Sequence, residues 1–219
     1  MHRNSGWAGH AYMIVAGALV GFALILQFYL TANLVVAQGG HLVTAMLVFL
    51  DFFTILTNIL VLAALAAPWI APESRLALFF RRPVVLGAIA SYIAIVGIVY
   101  TLLLLDFRAS EGPPLWADVL LHDISPVLFV IYWLFLVPRG WLHWRHPVLW
   151  LGYPLSYVVY AMLRSTVTNR YPYPFIDVAA LGYARVFYNV IMLSCGFLIV
   201  GLVFVAIDRI LSVQRRLVA

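Results

Sequence analysis

The chain has 219 residues, 65% hydrophobic and 10% charged, against the roughly 25% charge of an average soluble domain. Its formal net charge of +5 comes from 13 basic residues, all arginine. They flank apolar stretches and form no groove-sized patch, which excludes a nucleic-acid partner, and the single cysteine, Cys195, excludes an intrachain disulfide.

The first apolar stretch runs over about Ala11–Asn33. It is too long for a signal-peptide core and is expected to be a retained first helix. The second, about Leu42–Ala67, carries Asp51, Thr54, Thr57 and Asn58. Between Arg82 and Asp106 there are 23 positions without a charge, and between Arg185 and Asp208 there are 22. Each is long enough to cross about 30 Å of hydrocarbon as a helix. With Ala117–Val137 and Pro147–Thr168, six transmembrane helices are expected. The fold class is therefore an all-α integral membrane bundle, a single domain over residues 1–219. Most prolines fall between these stretches, whereas Pro126 and Pro154 lie within the fourth and fifth and should kink them.

Arginine placement orients the bundle. Arg3, Arg75, Arg81, Arg82, Arg139, Arg145, Arg209, Arg215 and Arg216 fall on one side, with Arg108, Arg164, Arg170 and Arg185 on or near the other. The positive-inside rule then makes both termini cytoplasmic, in a cell membrane, the inner membrane if bacterial.

Ionisable groups at membrane depth cost several kcal/mol each and mark functional sites. In the second helix Asp51, Thr54 and Asn58 follow i, i+3, i+7 and share a face, as do Asp118, His122 and Ser125 of the fourth. Facing one another, they would gather a hydroxyl, an imidazole and carboxylates in one cavity, with Asp123 beside His122. Counted from the outer ends at 1.5 Å per residue, Thr54 is expected about 10 Å deeper than His122. A neutral imidazole oriented by Asp51 or Asp118 could take a proton from a hydroxyl nucleophile. Asn58 or a backbone group of the fourth helix is the candidate oxyanion donor. Thr31, Thr44, Thr57 and Thr101 are expected to bond their own i−4 carbonyls. The remaining histidines are expected at the surface, and His143 and His146 make a poor metal pair.

Arg164, near the outer end of the fifth helix, reads three ways: a snorkelling side chain, a partner for Asp51, Asp123 or Asp177, or a clamp for the carboxylate of an acidic lipid. The Tyr171-Pro-Tyr-Pro-Phe-Ile-Asp177 segment reads as a stiff external cap.

Leu50-Asp-Phe-Phe-Thr-Ile-Leu-Thr-Asn58, Leu121-His-Asp-Ile-Ser-Pro126 with Tyr132-Trp133, and Tyr171-Pro-Tyr-Pro-Phe-Ile-Asp177 together resemble the bacterial branch of the androgen-induced and androgen-dependent TFPI-regulating protein family. Members are multi-helix membrane hydrolases of fatty acid esters of hydroxy fatty acids. The resemblance covers about residues 45–190 and implies that Thr54 is the nucleophile and His122 its partner. It departs from the family at Tyr132, where an acidic residue is expected in bacterial relatives. Arg164, Trp133, Tyr171 and Tyr173 are the candidate substrate contacts, with a lipid ester and the surrounding membrane lipids as partners and no cofactor.

Rival functions leave marks that are absent or weak. A transmembrane b-type haem needs paired histidines across the bilayer, and only His122 lies within a span. No Gly-x-Ser-x-Gly motif occurs, and the chain's two glutamates, Glu73 and Glu111, form no Glu-Glu metalloprotease motif. A small transporter or lipid-binding protein is the alternative, although residues 11–105 and 117–207 share no repeat beyond hydropathy.

Overall fold

The computed structural model describes residues 6–109 and 111–217, and its regular elements among them are all helices, the last kinked at Gly182. His2 and Arg3 lie outside the described residues, as do the side chains of Arg215 and Arg216. In chain order the helices are α1 (Trp7–Ala37), α2 (Leu42–Leu50), α3 (Phe53–Ile70), α4 (Arg75–Phe80), α5 (Pro83–Val99), α6 (Gly112–Val119), α7 (Ser125–Leu136), α8 (His146–Trp150), α9 (Gly152–Thr168) and α10 (Val178–Leu217). Among the described residues, five helical segments are long and apolar enough to cross a membrane: Trp7–Ala37, Phe53–Ile70, Pro83–Phe107, Gly112–Leu136 and Val178–Gln214.

Two expected spans differ in detail. The second is not one helix, because Phe52 is extended (φ −96°, ψ 129°) and separates α2 from α3. Asp51 therefore ends α2 while Thr54 sits in the first turn of α3, and the single polar face expected across Asp51, Thr54 and Asn58 is split. The fifth is interrupted at Leu151, leaving α9 with 17 residues. Pro154 consequently lies in the first turn of α9, where a proline needs no kink. Pro68, expected in a loop, is inside the last turn of α3.

The polarity of the molecule is inverted relative to a water-soluble domain. Ile14, Phe22, Ile25, Leu102, Phe135, Val159, Phe187 and Ile199 face outward, whereas Thr54, Thr57, Asn58, Ser91, Ser125, Ser165 and Asp208 are buried. An apolar exterior around a hydrogen-bonded interior is what a lipid solvent demands.

Neighbouring helices pack antiparallel. Along α1, His10, Gly17, Gly21 and Phe28 meet Trp69, Leu65, Leu62 and Phe49 in turn. A methyl on Gly17 or Gly21 would lie 3.7 Å from a leucine opposite, so small residues set this approach. Along α5, Gly87 meets Leu142 and Gly97 meets Pro126. At the end of the bundle away from the 169–177 segment, buried Asp208 of α10 accepts the backbone N–H groups of Gly140 (3.0 Å) and Leu142 (2.9 Å), pinning the loop before α8.

Candidate active site

Two wide helical turns face each other. After Val99 the backbone of α5 opens into a π-turn, Tyr100–Leu104, and between α6 and α7 it opens into another, Leu120–Ile124. Such turns are rare and recur at functional sites. The second has a local cause: Pro126 lacks the N–H that would bond a carbonyl four or five residues back. Asn58 supplies a substitute donor, its Nδ2 reaching the Leu121 carbonyl at 3.3 Å. The His122 carbonyl lies against Gly97, where a Cβ would approach to 3.1 Å. Glycine lets α5 approach the turn this closely, and a larger residue there would have to push the turn back.

This construction presents His122. Its ring stacks on Tyr100 of the opposite turn, with centroids 3.8 Å apart and planes at 16°. Nδ1 donates to the Asp118 carbonyl at 3.0 Å, with an Asp118 carboxylate oxygen at 3.6 Å. The Nδ1 proton is thereby committed, and Nε2 is the basic nitrogen. Asp118 is thus the acid at His122, and Asp51, the other expected orienter, is elsewhere. Asp123 pairs with Arg108 at 2.5 Å, and the Arg108 guanidinium also lies over the Tyr100 ring.

Thr54 arrives from the other side, in the first turn of α3. That turn leaves N–H groups without helical partners, and the Thr54 N–H donates to the Tyr173 hydroxyl at 3.3 Å. Thr54 Oγ1 lies 3.4 Å from the same hydroxyl. Burial pushes the Tyr173 phenol up from its ordinary value, opposed by its hydrogen bonds with Thr54.

Thr54 and His122 both line two cavities. One, of about 70 Å³, runs among apolar side chains of α5, α9 and α10, including Ile95, Val158, Leu193 and Phe197. The other, of about 510 Å³, is bounded by Gln27, Thr31, Phe107, Asp118, Tyr171 and Asp177. The two share Thr54, Tyr100, Leu104, His122 and Tyr173. Among the described residues no direct hydrogen bond joins Thr54 to His122. The expected difference in depth of about 10 Å assumed one unbroken helix from Leu42 and a fourth span starting at Ala117, whereas Phe52 breaks the first and α6 begins at Gly112.

Other expected site residues fall differently. Both Asn58 donors are committed, to the Thr54 carbonyl (2.9 Å) and to Leu121; the amide is structural and cannot serve as the oxyanion donor. Ser125 is buried, and its Oγ has no hydrogen-bond partner among the described residues. Trp133 is buried between Phe204 and the Arg139 guanidinium and lines neither cavity. Asp51 forms a two-point pair with Arg164, at 2.8 and 3.2 Å, and accepts from Tyr160 at 3.1 Å. Arg164 therefore already has its carboxylate. Thr31 bonds its i−4 carbonyl as expected, whereas Thr57 pairs with the Tyr153 hydroxyl at 3.2 Å. His143 and His146 bond locally, the His146 Nδ1 accepting the His143 N–H. Among the described residues no three His, Cys, Asp or Glu side chains gather as a metal site would require. Tyr100 belongs to the site although tyrosine in an apolar helix carries no sequence signal of its own.

Comparison with protein-family models, curated proteins and solved structures finds no match.

Proposed function

We propose that this chain is an intramembrane hydrolase of lipid esters, with Thr54 as nucleophile and His122 as general base. One observation carries the reading: the hydroxyl and the imidazole, brought from separate helices, both line the two cavities where these cavities share residues. An ester with an apolar group on each side of its carbonyl would direct one group towards each arm, and the apolar arm, about 70 Å³ here, must widen to take a fatty chain. Fatty acid esters of hydroxy fatty acids have this form, and the motif resemblance to the androgen-induced family favours them.

In the reaction Thr54 Oγ attacks the ester carbonyl while its proton passes to His122 Nε2. The tetrahedral intermediate collapses, the alkoxy oxygen takes the proton from His122, and an acyl-Thr54 ester remains. Water, deprotonated by His122, then attacks the acyl carbonyl, Thr54 Oγ leaves and takes the proton back from His122, and the fatty acid is released. The Asp118 contact keeps the imidazole in one tautomer throughout. Because Thr54 and His122 are not directly bonded, substrate or one water completes their line.

Lipid binding without catalysis is the second reading, favoured by the engagement of Thr54 Oγ1 with Tyr173. Turnover separates the two: purified protein in nanodiscs should release free fatty acid from such an ester continuously. Stoichiometric binding with no release would support the second reading.

We extend this to six passes with both termini cytoplasmic, α9 being the fifth in chain order, in a cell membrane. The arginine asymmetry and the antiparallel packing support it. In a Cys195→Ala background, Glu111→Cys should react with a membrane-impermeant thiol reagent from outside the cell only. Labelling only after permeabilisation would reverse the topology.

A further inference from the structure

The Tyr-Pro-Tyr-Pro-Phe segment does more than cover the site. Pro172 and Pro174 flank Tyr173, which is held extended (φ −136°, ψ 143°), as a residue before proline prefers. The segment then closes in a short 3₁₀ turn, Pro174–Ile176, with the Ile176 N–H bonded to the Tyr173 carbonyl. Asn189 of α10 holds the Phe175 carbonyl at 2.8 Å, and Ser165 of α9 holds the Arg170 carbonyl at 2.9 Å. The Tyr173 ring stacks on Phe175 at 5.1 Å and meets Phe52 and Tyr157 edge-on. Both ends and the ring are fixed, and the hydroxyl at its tip reaches the first turn of α3.

What that hydroxyl does follows from its hydrogen-bond inventory. A phenol has one proton to donate. Its oxygen faces backbone N–H donors of the α3 start, Thr54 at 3.3 Å and Phe53 beside it, and among the described residues the neighbour able to accept its proton is Thr54 Oγ1. We propose that Tyr173 is a positioning residue for the nucleophile: it donates its proton to Thr54 Oγ1, which turns the threonine proton away from the phenol and towards the cavity that holds His122. As Thr54 loses that proton to His122 Nε2 and negative charge gathers on Oγ, the phenol bond strengthens. Tyr173 keeps its proton throughout, so no net transfer passes through it. The role rests on Thr54 being the nucleophile.

A fluorophosphonate probe tests both claims separately. Thr54 Oγ forms a bond to phosphorus, fluoride leaves, and the hydroxyl proton passes to the base. The adduct is located by peptide mass spectrometry. Tyr173→Phe keeps the ring and its stacking and removes only the hydroxyl. Its saturating labelling rate at Thr54 should fall roughly 10²-fold, the cost of a misplaced reacting group, while the concentration for half-maximal rate changes by less than about twofold. A merely structural role would move the second quantity or the folding of the protein. Wild-type labelling at Thr54 with an unchanged rate in Tyr173→Phe overturns the positioning role alone. No labelling of wild-type Thr54 overturns the hydrolase reading and this role with it. If Tyr173→Phe does not fold, 3-fluorotyrosine at position 173 retains the hydroxyl and makes it more acidic. The alkaline limb of the labelling rate should then move to lower pH, and an unmoved limb overturns the proposal.

Discussion

Thr54→Ala and His122→Ala should each lower turnover of a fatty acid ester of a hydroxy fatty acid by about three orders of magnitude or more, because nucleophile and base act as one unit. Their effects should not add: the double variant should be about as slow as either single one. The fold should survive. Thr54 Oγ1 makes one side-chain hydrogen bond, to Tyr173 at 3.4 Å, and losing such a bond costs about 1 kcal/mol. His122 contributes its stacking on Tyr100 and one bond to the Asp118 carbonyl. Initial rates of fatty-acid release in nanodiscs, with helicity measured on the same samples, check this. Wild-type release by Thr54→Ala would remove the nucleophile from the account.

Breaking the Asp51–Arg164 pair should measurably destabilise the bundle. Both side chains are less than a quarter exposed (18% and 23%), and Asp51 also anchors two tyrosines of α9, accepting Tyr160 on its carboxylate and Tyr157 on its backbone carbonyl. Removing one charge leaves the other uncompensated, at a cost of about 3 kcal/mol. Arg164→Gln should therefore lower the thermal midpoint measurably. The double change Asp51→Leu with Arg164→Met should recover much of the loss, because an apolar pair leaves no stranded charge. Arg164→Gln should also affect a free-acid ester and its methyl-capped analogue equally, since the guanidinium is already neutralised by Asp51. A loss confined to the free acid would instead make Arg164 the clamp for a substrate carboxylate.

The helical architecture was legible because uncharged runs of more than twenty residues admit few alternatives, and hydropathy marks them without any tertiary information. That Thr54 and His122 stand at shared cavities was legible for a related reason, since polar side chains stand out where lipid penalises them. What escaped was set by contacts between distant segments. The break at Phe52 has neither glycine nor proline beside it, so local chemistry did not announce it, yet it sends Asp51 to Arg164 and leaves Thr54 at a helix start. The π-turn before Ser125 was half visible: Pro126 advertised a disturbance, but its repair by Asn58, more than sixty residues earlier, was not readable from spacing. Asn58 consequently resembled an oxyanion donor when its amide is spent on carbonyls. Trp133 looked like a substrate contact because it follows the histidine motif, but the intervening turns of α7 carry it to Phe204 and Arg139. Tyr173 was noticed as part of a stiff cap, whereas its bonds to Thr54 depend on where the loop docks.

Trapping the covalent intermediate tests the central claim most directly. Wild-type protein in nanodiscs is mixed with an excess of lipid ester, quenched in acid within the first turnovers, digested and read by mass spectrometry. The account predicts a peptide carrying one acyl group on Thr54, formed before steady-state release and absent from Thr54→Ala. Steady ester hydrolysis with unmodified Thr54 at every quench time, and equal release by Thr54→Ala, would contradict it.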